Sequence, residues 1–330
     1  MSGSGWNTID SDAGVFSELV ERLNVKDVEI NDLYSIDSDS LKQLDPVYGV
    51  IFLFKYGKID HQYALDGNKP IEGEYDYDYP IRDMFFANQT VQNSCATQAV
   101  LNILLNKDKE IDIGDDLRNF KSFVNGFDGY MVGDTILNSD IIRTIHNSFS
   151  PPQSLIDTDK PRRHHNYTNQ DDGIFHFVGY IHNNGYIYEL DGLKNCPIRH
   201  VECQSNEEFY EKLPGVIQKR ISHFGNELRF SLLAVTDNKL LRAQRLNQEF
   251  EIHTQLMKRE TWKYENELRR QDYTGLVMRL LINISKEKND DEWEKMLVSA
   301  REKTIQRVDA GEYNERSHYL DADTSDEYNI

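Results

Sequence analysis

A short apolar hairpin constrains the fold of this 330-residue chain more than any other feature of its sequence. Residues 174–182 read IFHFVGYIH and residues 185–192 read GYIYELDG, and Asn-Asn-Gly lies where the two runs meet. Asn and Gly accept the positive φ that a tight turn requires, so this pattern predicts two antiparallel strands. Two more runs, GVIFLFKY at 49–56 and ELRFSLLAVTD at 227–237, also have the composition of strands. The sequence therefore predicts one antiparallel hairpin and two further strands.

A helix is predicted to begin close to Cys95, because apolar residues recur at steps of three and four through CATQAVLNILL. Asn93 and Ser94 precede it, and both are residue types that favour a helix N-cap. A thiol in the first turn meets unpaired backbone N–H groups and the positive end of the helix dipole, which favour the thiolate, the nucleophilic form. The alternative is a small packing residue, since free cysteines are usually buried.

A cysteine hydrolase also needs a base, a group that orients the base, and donors for an oxyanion. His176 lies in the strand FHF, and Asp191 ends the next strand, where a buried carboxylate requires a partner. Gln89, six residues before Cys95, could direct its amide toward the same oxyanion as the Cys95 backbone N–H. Taken singly, each has a structural alternative: a core histidine, a turn former before Gly192, and a loop residue.

Composition restricts the remaining classes of function. The formal charge is −19, and residues 1–237 carry 21 basic and 37 acidic residues, a net of −16. This argues against nucleic-acid binding and fits a basic protein partner. Three cysteines form neither an even disulfide set nor a zinc-ligand spacing. With no signal-like start and no membrane-length apolar run, we expect a soluble intracellular protein.

The chain divides by pattern into three parts. Residues 1–237 carry the strands and the candidate site, with a long proline-containing loop at 147–173 that is typical of a lid or of disorder. Residues 115–147 are predicted to be largely helical, interrupted near NGFDGYMVGD, and a further helix is predicted around 207–224. Residues 238–310 are predicted to form a long, highly charged helix and two amphipathic helices. Residues 311–330 are predicted to be an acidic disordered tail.

Five blocks resemble, in order, those of the ubiquitin carboxyl-terminal hydrolase family of cysteine proteases. They are WNTIDSDAGVF, YGVIFLFKY, FFANQTVQNSCATQA, FHFVGYI and YELDGLK, within residues 6–237. The resemblance implies an α/β (α+β) fold: a papain-like core with a knotted backbone, in which helices flank a central, mainly antiparallel sheet, and an α-helical C-terminal module. It also implies that Cys95 is the nucleophile, His176 the base, Asp191 its orienting partner and Gln89 the oxyanion-hole side chain. The loop before His176 matches the family's active-site crossover loop.

The implied activity is that of a deubiquitinating thiol hydrolase, which needs no metal or organic cofactor. Residues 238–307 resemble the helical module of the proteasome-associated subclass, which implies docking on a ubiquitin receptor of the proteasome regulatory particle. Ubiquitin is then the substrate, nucleic acid and membranes are not partners, and the protein is expected in the cytoplasm and nucleus. The alternative is a catalytically idle ubiquitin-binding adaptor that acts through its C-terminal helices. Cys196 and Cys203 are assigned to packing or surface positions.

Overall fold

A computed structural model describes residues 5–55, 70–91, 93–150, 175–223 and 230–309. The described residues up to Gln271 form one compact unit, and those from Asp272 onward form a second. Most of the predicted loop at 147–173, the crossover-loop assignment and the acidic tail at 311–330 lie outside the described residues. The knotted path through that loop therefore stays a prediction.

The centre of the first unit is a seven-stranded sheet in the order β1-β7-β2-β4-β5-β6-β3. All of its strand pairs are antiparallel, so the predicted sheet is confirmed. The strands are β1 Val28–Asp32, β2 Val47–Lys55, β3 Glu74–Tyr75, β4 Phe175–Asn183, β5 Tyr186–Leu190, β6 Ile198–Glu202 and β7 Phe230–Asp237.

The predicted hairpin joins β4 to β5, with Asn183 paired to Tyr186. Asn184 has a φ of 47° and Gly185 a φ of 80°, as a type I′ turn requires of its two central residues. Because the strands continue directly from this turn, His176 on β4 and the end of β5 lie side by side. The hairpin thus fixes the relation between two of the candidate site residues.

Nine helices accompany the sheet in the described part of the first unit. They are α1 Ala13–Arg22, α2 Ser38–Gln43, α3 Cys95–Leu104, α4 Gly114–Phe123, α5 Gly129–Asn138, α6 Asp140–Asn147, α7 Asn206–Ser222, α8 Lys239–Arg245 and α9 Glu249–Arg269. Asp12 caps α1 by accepting hydrogen bonds from Gly14 N at 2.9 Å and Val15 N at 3.1 Å. Residues 115–147 were predicted to be helical with an interruption near NGFDGYMVGD, and they contain α4, α5 and α6. Two glycines of that stretch, Gly129 and Gly133, lie inside α5 and do not interrupt it.

The sheet separates two hydrophobic clusters. The larger contains α1 and α3, with fully buried residues such as Phe16, Val100 and Ile103. The smaller lies between the sheet and α7 and includes Phe52 and Tyr180. The sheet is therefore buried on both sides, which explains why β2 and β4 are almost continuously apolar.

The predicted division at residue 238 differs from the packing, because α8 and α9 belong to the first compact unit. The apolar residues that predicted a long exposed helix do point to solvent: Leu246, Phe250, Met257, Tyr264 and Leu268 are all 40–85% exposed. The packed face of α9 is instead largely polar. Arg259 pairs with the buried Glu29, and the Asn266 amide donates to Gly14 O at 3.2 Å. The apolar periodicity thus identified the exposed face of α9, and the polar face that packs on the core was not predicted.

The second unit, as far as it is described, contains α10 Thr274–Glu287 and α11 Asp290–Asp309. None of the α10 side chains is buried, although this helix is rich in Leu, Ile, Val and Met. Across the described ranges, no helix is both long enough and apolar enough to span a membrane. The unit thus presents apolar side chains at the positions predicted for a docking module.

Candidate active site

Cys95 is the first residue of α3 and is half-buried. Ser94 stands at the N-cap position but does not cap the helix with its side chain. Its hydroxyl instead donates to Val91 O at 2.7 Å, across the turn that leads into the helix. Asn93 adopts a φ of 71°, and its amide donates to Trp6 O at 3.1 Å. These contacts fix Asn93 and Ser94 immediately before the thiol.

His176 and Asp191 are brought together by the hairpin. The imidazole Nε2 lies 2.7 Å from Asp191 Oδ1, and both side chains are buried. The same carboxylate oxygen accepts the backbone N–H of Leu193 at 2.9 Å, which fixes its position at the end of β5. The Cys95 side chain is also hydrogen-bonded to His176. Since Nε2 is engaged by Asp191, Nδ1 is the ring nitrogen available to the thiol.

The charges of His176 and Asp191 follow from their surroundings. Burial alone would lower the pKa of His176, but the Asp191 carboxylate and the Cys95 side chain together raise it to about 9. Burial would raise the pKa of Asp191, but the charge and hydrogen bond of His176, with Lys194 and Arg220, hold it well below its ordinary value. At neutral pH the pair is therefore an imidazolium next to a carboxylate, with a proton held close to the thiol.

Gln89 lies on the segment that leads into Cys95, and its backbone is attached to the Asp191 loop. Its N–H donates to Gly192 O at 2.7 Å. A Cβ added to Gly192 would lie 3.0 Å from that same nitrogen, so the close approach favours glycine. The side-chain amide of Gln89 donates to Val91 O at 3.2 Å. The amide has a second N–H, which keeps it competent as a donor at this edge of the site.

Asn88 is a structural member of the site that the sequence reasoning missed. Its side-chain amide donates to Gly192 O at 3.3 Å and to Lys194 O, and its own carbonyl accepts from Gln98 Nε2 at 2.7 Å. Asn88 therefore connects the Asp191 loop to helix α3. The available signal was its polar side chain directly after the apolar run FFA, where a buried amide requires several partners.

A second buried contact holds α3 to the N-terminal segment. His146 on α6 lies 2.7 Å from Thr97 Oγ1 through Nδ1, and 2.7 Å from Asn7 O through Nε2. The Trp6 ring lies edge-on to the imidazole at 4.7 Å. Burial lowers the pKa of His146 to about 4, with the Asn7 hydrogen bond acting in the opposite direction. This histidine is thus neutral and structural, in contrast to His176.

A thiol at a helix N-terminus, an imidazole on the facing sheet and a carboxylate beyond it form the arrangement of a papain-like cysteine hydrolase. The comparisons with known proteins agree. The profile of the family described as "Ubiquitin carboxyl-terminal hydrolase, family 1" matches residues 6–222. The chain therefore belongs to the ubiquitin carboxyl-terminal hydrolase family and is a cysteine-type deubiquitinating enzyme.

Individual relatives extend the similarity beyond the matched domain. Ubiquitin carboxyl-terminal hydrolase 2 of Schizosaccharomyces pombe is 41% identical over 307 residues, which cover 90% of this chain and 97% of the relative. Ubiquitin carboxyl-terminal hydrolase isozyme L5 of Dictyostelium discoideum is 40% identical over 71% of this chain and 63% of its own length. The crystal structure of Trichinella spiralis UCH37 bound to ubiquitin vinyl methyl ester superposes with a TM-score of 0.59 at 28% identity, covering 80% of this chain and 99% of that one.

Proposed function

We propose that this enzyme cleaves the bond after the C-terminal glycine of ubiquitin, with Cys95 as nucleophile, His176 as acid and base, Asp191 as orienting group and Gln89 as oxyanion donor. The observation that carries the proposal is the hydrogen-bonded series from Cys95 through His176 to Asp191, with 2.7 Å between the last two. The related UCH37 structure with ubiquitin vinyl methyl ester supports ubiquitin as the substrate.

In the first step the Cys95 sulfur attacks the glycine carbonyl carbon, and the carbonyl oxygen becomes an oxyanion. The Cys95 backbone N–H and the Gln89 amide donate to that oxygen. Protonated His176 gives its proton to the leaving amine as the carbon–nitrogen bond breaks. Neutral His176 then takes a proton from water, and the resulting hydroxide cleaves the thioester, which releases ubiquitin and restores the thiolate.

Asp191 keeps the imidazole in place throughout this cycle. Because Oδ1 accepts both the imidazole Nε2 proton and the Leu193 N–H, the carboxylate cannot turn away from the ring without losing both. It therefore holds Nδ1 toward the sulfur and stabilises the imidazolium form. The net charge of −16 on residues 1–237 additionally favours an arginine-rich substrate tail by electrostatic attraction.

We also propose that the C-terminal helices dock this enzyme on a ubiquitin receptor of the proteasome regulatory particle, in the cytoplasm and nucleus. The support is the resemblance of residues 238–307 to that subclass and the exposed apolar surface of α10. Exposed side chains that are 44–55% accessible include Leu276, Val277, Met278, Leu280 and Leu281. Contiguous apolar side chains of this kind are typical of protein–protein contact surfaces.

The activity is tested by mixing the full chain with ubiquitin that carries a vinyl methyl ester at its C-terminus. A single adduct is expected for the wild type, none for Cys95→Ala and a slower reaction for His176→Ala. Cys203→Ala serves as the matched control, because that thiol is fully buried away from the proposed chemistry. An adduct that persists in Cys95→Ala would refute the assignment of the nucleophile, and no adduct from folded wild type would favour the idle adaptor.

The docking proposal needs a truncation that leaves the enzyme core intact. A chain ending at Gln271 retains α9 and its contacts with the core, whereas a chain ending at 237 removes them. The chain ending at Gln271 is expected to keep ubiquitin hydrolysis and to lose co-sedimentation with the proteasome regulatory particle. Unchanged co-sedimentation of that truncated enzyme would overturn the docking proposal while leaving the catalytic one untouched.

A further inference from the structure

A group of buried polar residues lies behind the catalytic pair, on the α7 side of the sheet. Glu189 on β5 and Arg220 in the last turn of α7 are 1% and 2% exposed. Tyr180 donates its hydroxyl proton to Glu189 Oε2 at 3.0 Å, and His200 Nε2 lies 3.1 Å from the same oxygen. None of these four side chains has a part in the proposed chemistry. Burying so many polar groups in one place therefore calls for another role.

Arg220 lies close to two buried carboxylates that repel each other. Burial would raise the pKa of Glu189, but the charge of Arg220 and the contact with His200 lower it, while the charge of Asp191 opposes them. Arg220 is also among the groups that lower the pKa of Asp191. Two buried negative charges two residues apart are unfavourable unless a cation lies near both. The Arg220 guanidinium provides that cation.

Arg220 also reaches His176 through one intervening side chain. Its Cζ lies 5.0 Å from the centre of the Phe54 ring, in the geometry of a cation–π contact. The Phe54 ring is fully buried and meets the His176 imidazole edge-on, with centroids 5.9 Å apart and an interplanar angle of 85°. Phe54 and His176 are directly opposite each other in the β2–β4 register. The catalytic ring is thus in contact with Asp191 and with an aromatic ring on which Arg220 packs.

We propose that Arg220 is a positioning residue for the catalytic pair: it holds Phe54 against the His176 ring and balances the charges of Glu189 and Asp191. The imidazole then keeps the orientation in which Nδ1 faces Cys95. Arg220 does not touch the substrate, so its loss should affect the chemical steps and not the binding of ubiquitin. This inference rests on the proposed roles of His176 and Asp191.

The test compares Arg220→Met and Arg220→Lys in the full chain. The control is Lys219→Met, which removes the neighbouring exposed cation on the same helix. Hydrolysis of a fluorogenic ubiquitin C-terminal amide gives kcat and KM, and thermal unfolding reports whether each variant is folded. For Arg220→Met we expect kcat to fall about tenfold with KM changed less than about twofold, as for a misoriented catalytic group. Arg220→Lys should recover part of the loss, and Lys219→Met should match wild type.

A second readout separates this inference from the proposed function. The rate at which iodoacetamide alkylates Cys95 depends on the orientation of His176 but does not require any ubiquitin substrate. Arg220→Met should slow this alkylation, whereas Lys219→Met should not. If Arg220→Met fails to fold, kcat and alkylation are measured in Phe54→Leu and Arg220→Lys instead. These two variants change the contact between Phe54 and Arg220 from either side. If folded Arg220 variants have the same kcat and the same alkylation rate as wild type, the inference is overturned. If wild type does not hydrolyse the ubiquitin amide but its Cys95 is still alkylated, only the proposed substrate is overturned.

Discussion

Trp262 of α9 lies directly on Gly14 of α1, and a Cβ added to Gly14 would be 2.6 Å from the indole Cγ. Lys258 Nζ lies 4.2 Å from the centre of the same indole on α9. Helix α9 is therefore attached to α1 by close packing and to β1 by the Arg259–Glu29 pair. This attachment places α9 with the catalytic unit, although its sequence suggested a separate module.

Removing Arg259 should destabilise the enzyme core. Glu29 is 1% exposed and would keep the hydrogen bond from the Asn31 amide at 3.0 Å, but of its two cationic partners it would retain only Lys258, with Nζ at 3.9 Å. An incompletely paired buried carboxylate destabilises a fold, here on the order of 2 kcal/mol. Urea unfolding of Arg259→Met should show this loss, and Lys263→Met on the exposed face of α9 should not. Equal stabilities for the two variants would mean that the pair contributes nothing.

The alkaline limit of activity should depend on Asp191. The pKa of about 9 for His176 is maintained against burial by the carboxylate, so hydrolysis in wild type should decline as the pH rises through about 9. In Asp191→Asn the pKa of His176 falls, so the decline of hydrolysis moves to lower pH. The kcat of this variant should also decrease about 10²-fold or more. Asp115→Asn, which changes an exposed carboxylate on α4, is the control. An unchanged pH profile in Asp191→Asn would contradict the assigned coupling.

Gln89→Ala should lower kcat about 10²-fold with a small change in KM, because an oxyanion donor acts chiefly in the transition state. The neighbouring Thr90→Ala changes an exposed side chain and should behave as wild type. Both are measured with the fluorogenic ubiquitin amide. A kcat for Gln89→Ala equal to that of Thr90→Ala would remove Gln89 from the mechanism.

Gly133→Ala should lower both kcat and stability, although Gly133 is not a member of the catalytic group. A Cβ at Gly133 would lie 2.0 Å from Asn88 O, the backbone atom that accepts from Gln98. The Asn88 segment must shift, which costs about 1–3 kcal/mol as overpacking does and moves Gln89 away from its place. At Gly215 on α7, nothing lies within 4 Å of an added Cβ, so Gly215→Ala should leave activity unchanged. Thermal unfolding and kcat for the two alanine variants provide the comparison.

His146 should make the fold sensitive to acid. Its folded-state pKa of about 4 lies below the ordinary 6.5, so unfolding takes up a proton between these values. Its contribution to stability is complete above pH 6.5 and is lost as the pH falls toward 4, which amounts to ~3 kcal/mol. In His146→Gln this part of the pH dependence should flatten, while His253→Gln, at an exposed position on α9, should retain it. Parallel curves for the two variants would exclude His146 as the source.

The sequence predicted those parts of the fold that depend on local patterns. The Asn184–Gly185 turn, the apolar strands β2 and β4 and the helix that begins at Cys95 follow from turn chemistry and periodicity. Strands β1 and β6 were not predicted, because VEIND and IRHVE each carry two charged residues and lack the apolar composition of β2 and β4. Their pairing depends on distant segments of the chain, which local preferences do not reveal.

The residues of the candidate site also fall into those that local sequence patterns predict and those that they do not. Cys95, His176 and Asp191 have sequence signals because each lies at the edge of a regular element. Ser94 was predicted as a cap, but its hydroxyl bonds to Val91 O within the preceding turn. Asn88 bonds to Gly192 O, 104 residues away along the chain, and Arg220 packs on Phe54, 166 residues away, so only the three-dimensional structure reveals these roles.

The hairpin between β4 and β5 also determines the order in which the site can be assembled. His176 and Asp191 are 15 residues apart along the chain, whereas Cys95 lies some 80 residues before His176. Contacts that close a short loop of chain lose less conformational entropy than contacts that close a long loop, and they form sooner. A growing chain can therefore join the histidine to its carboxylate within one hairpin, but the thiol meets them only when α3 docks on the sheet. We therefore expect the nucleophile to acquire its base late in folding, after the histidine and its carboxylate have paired.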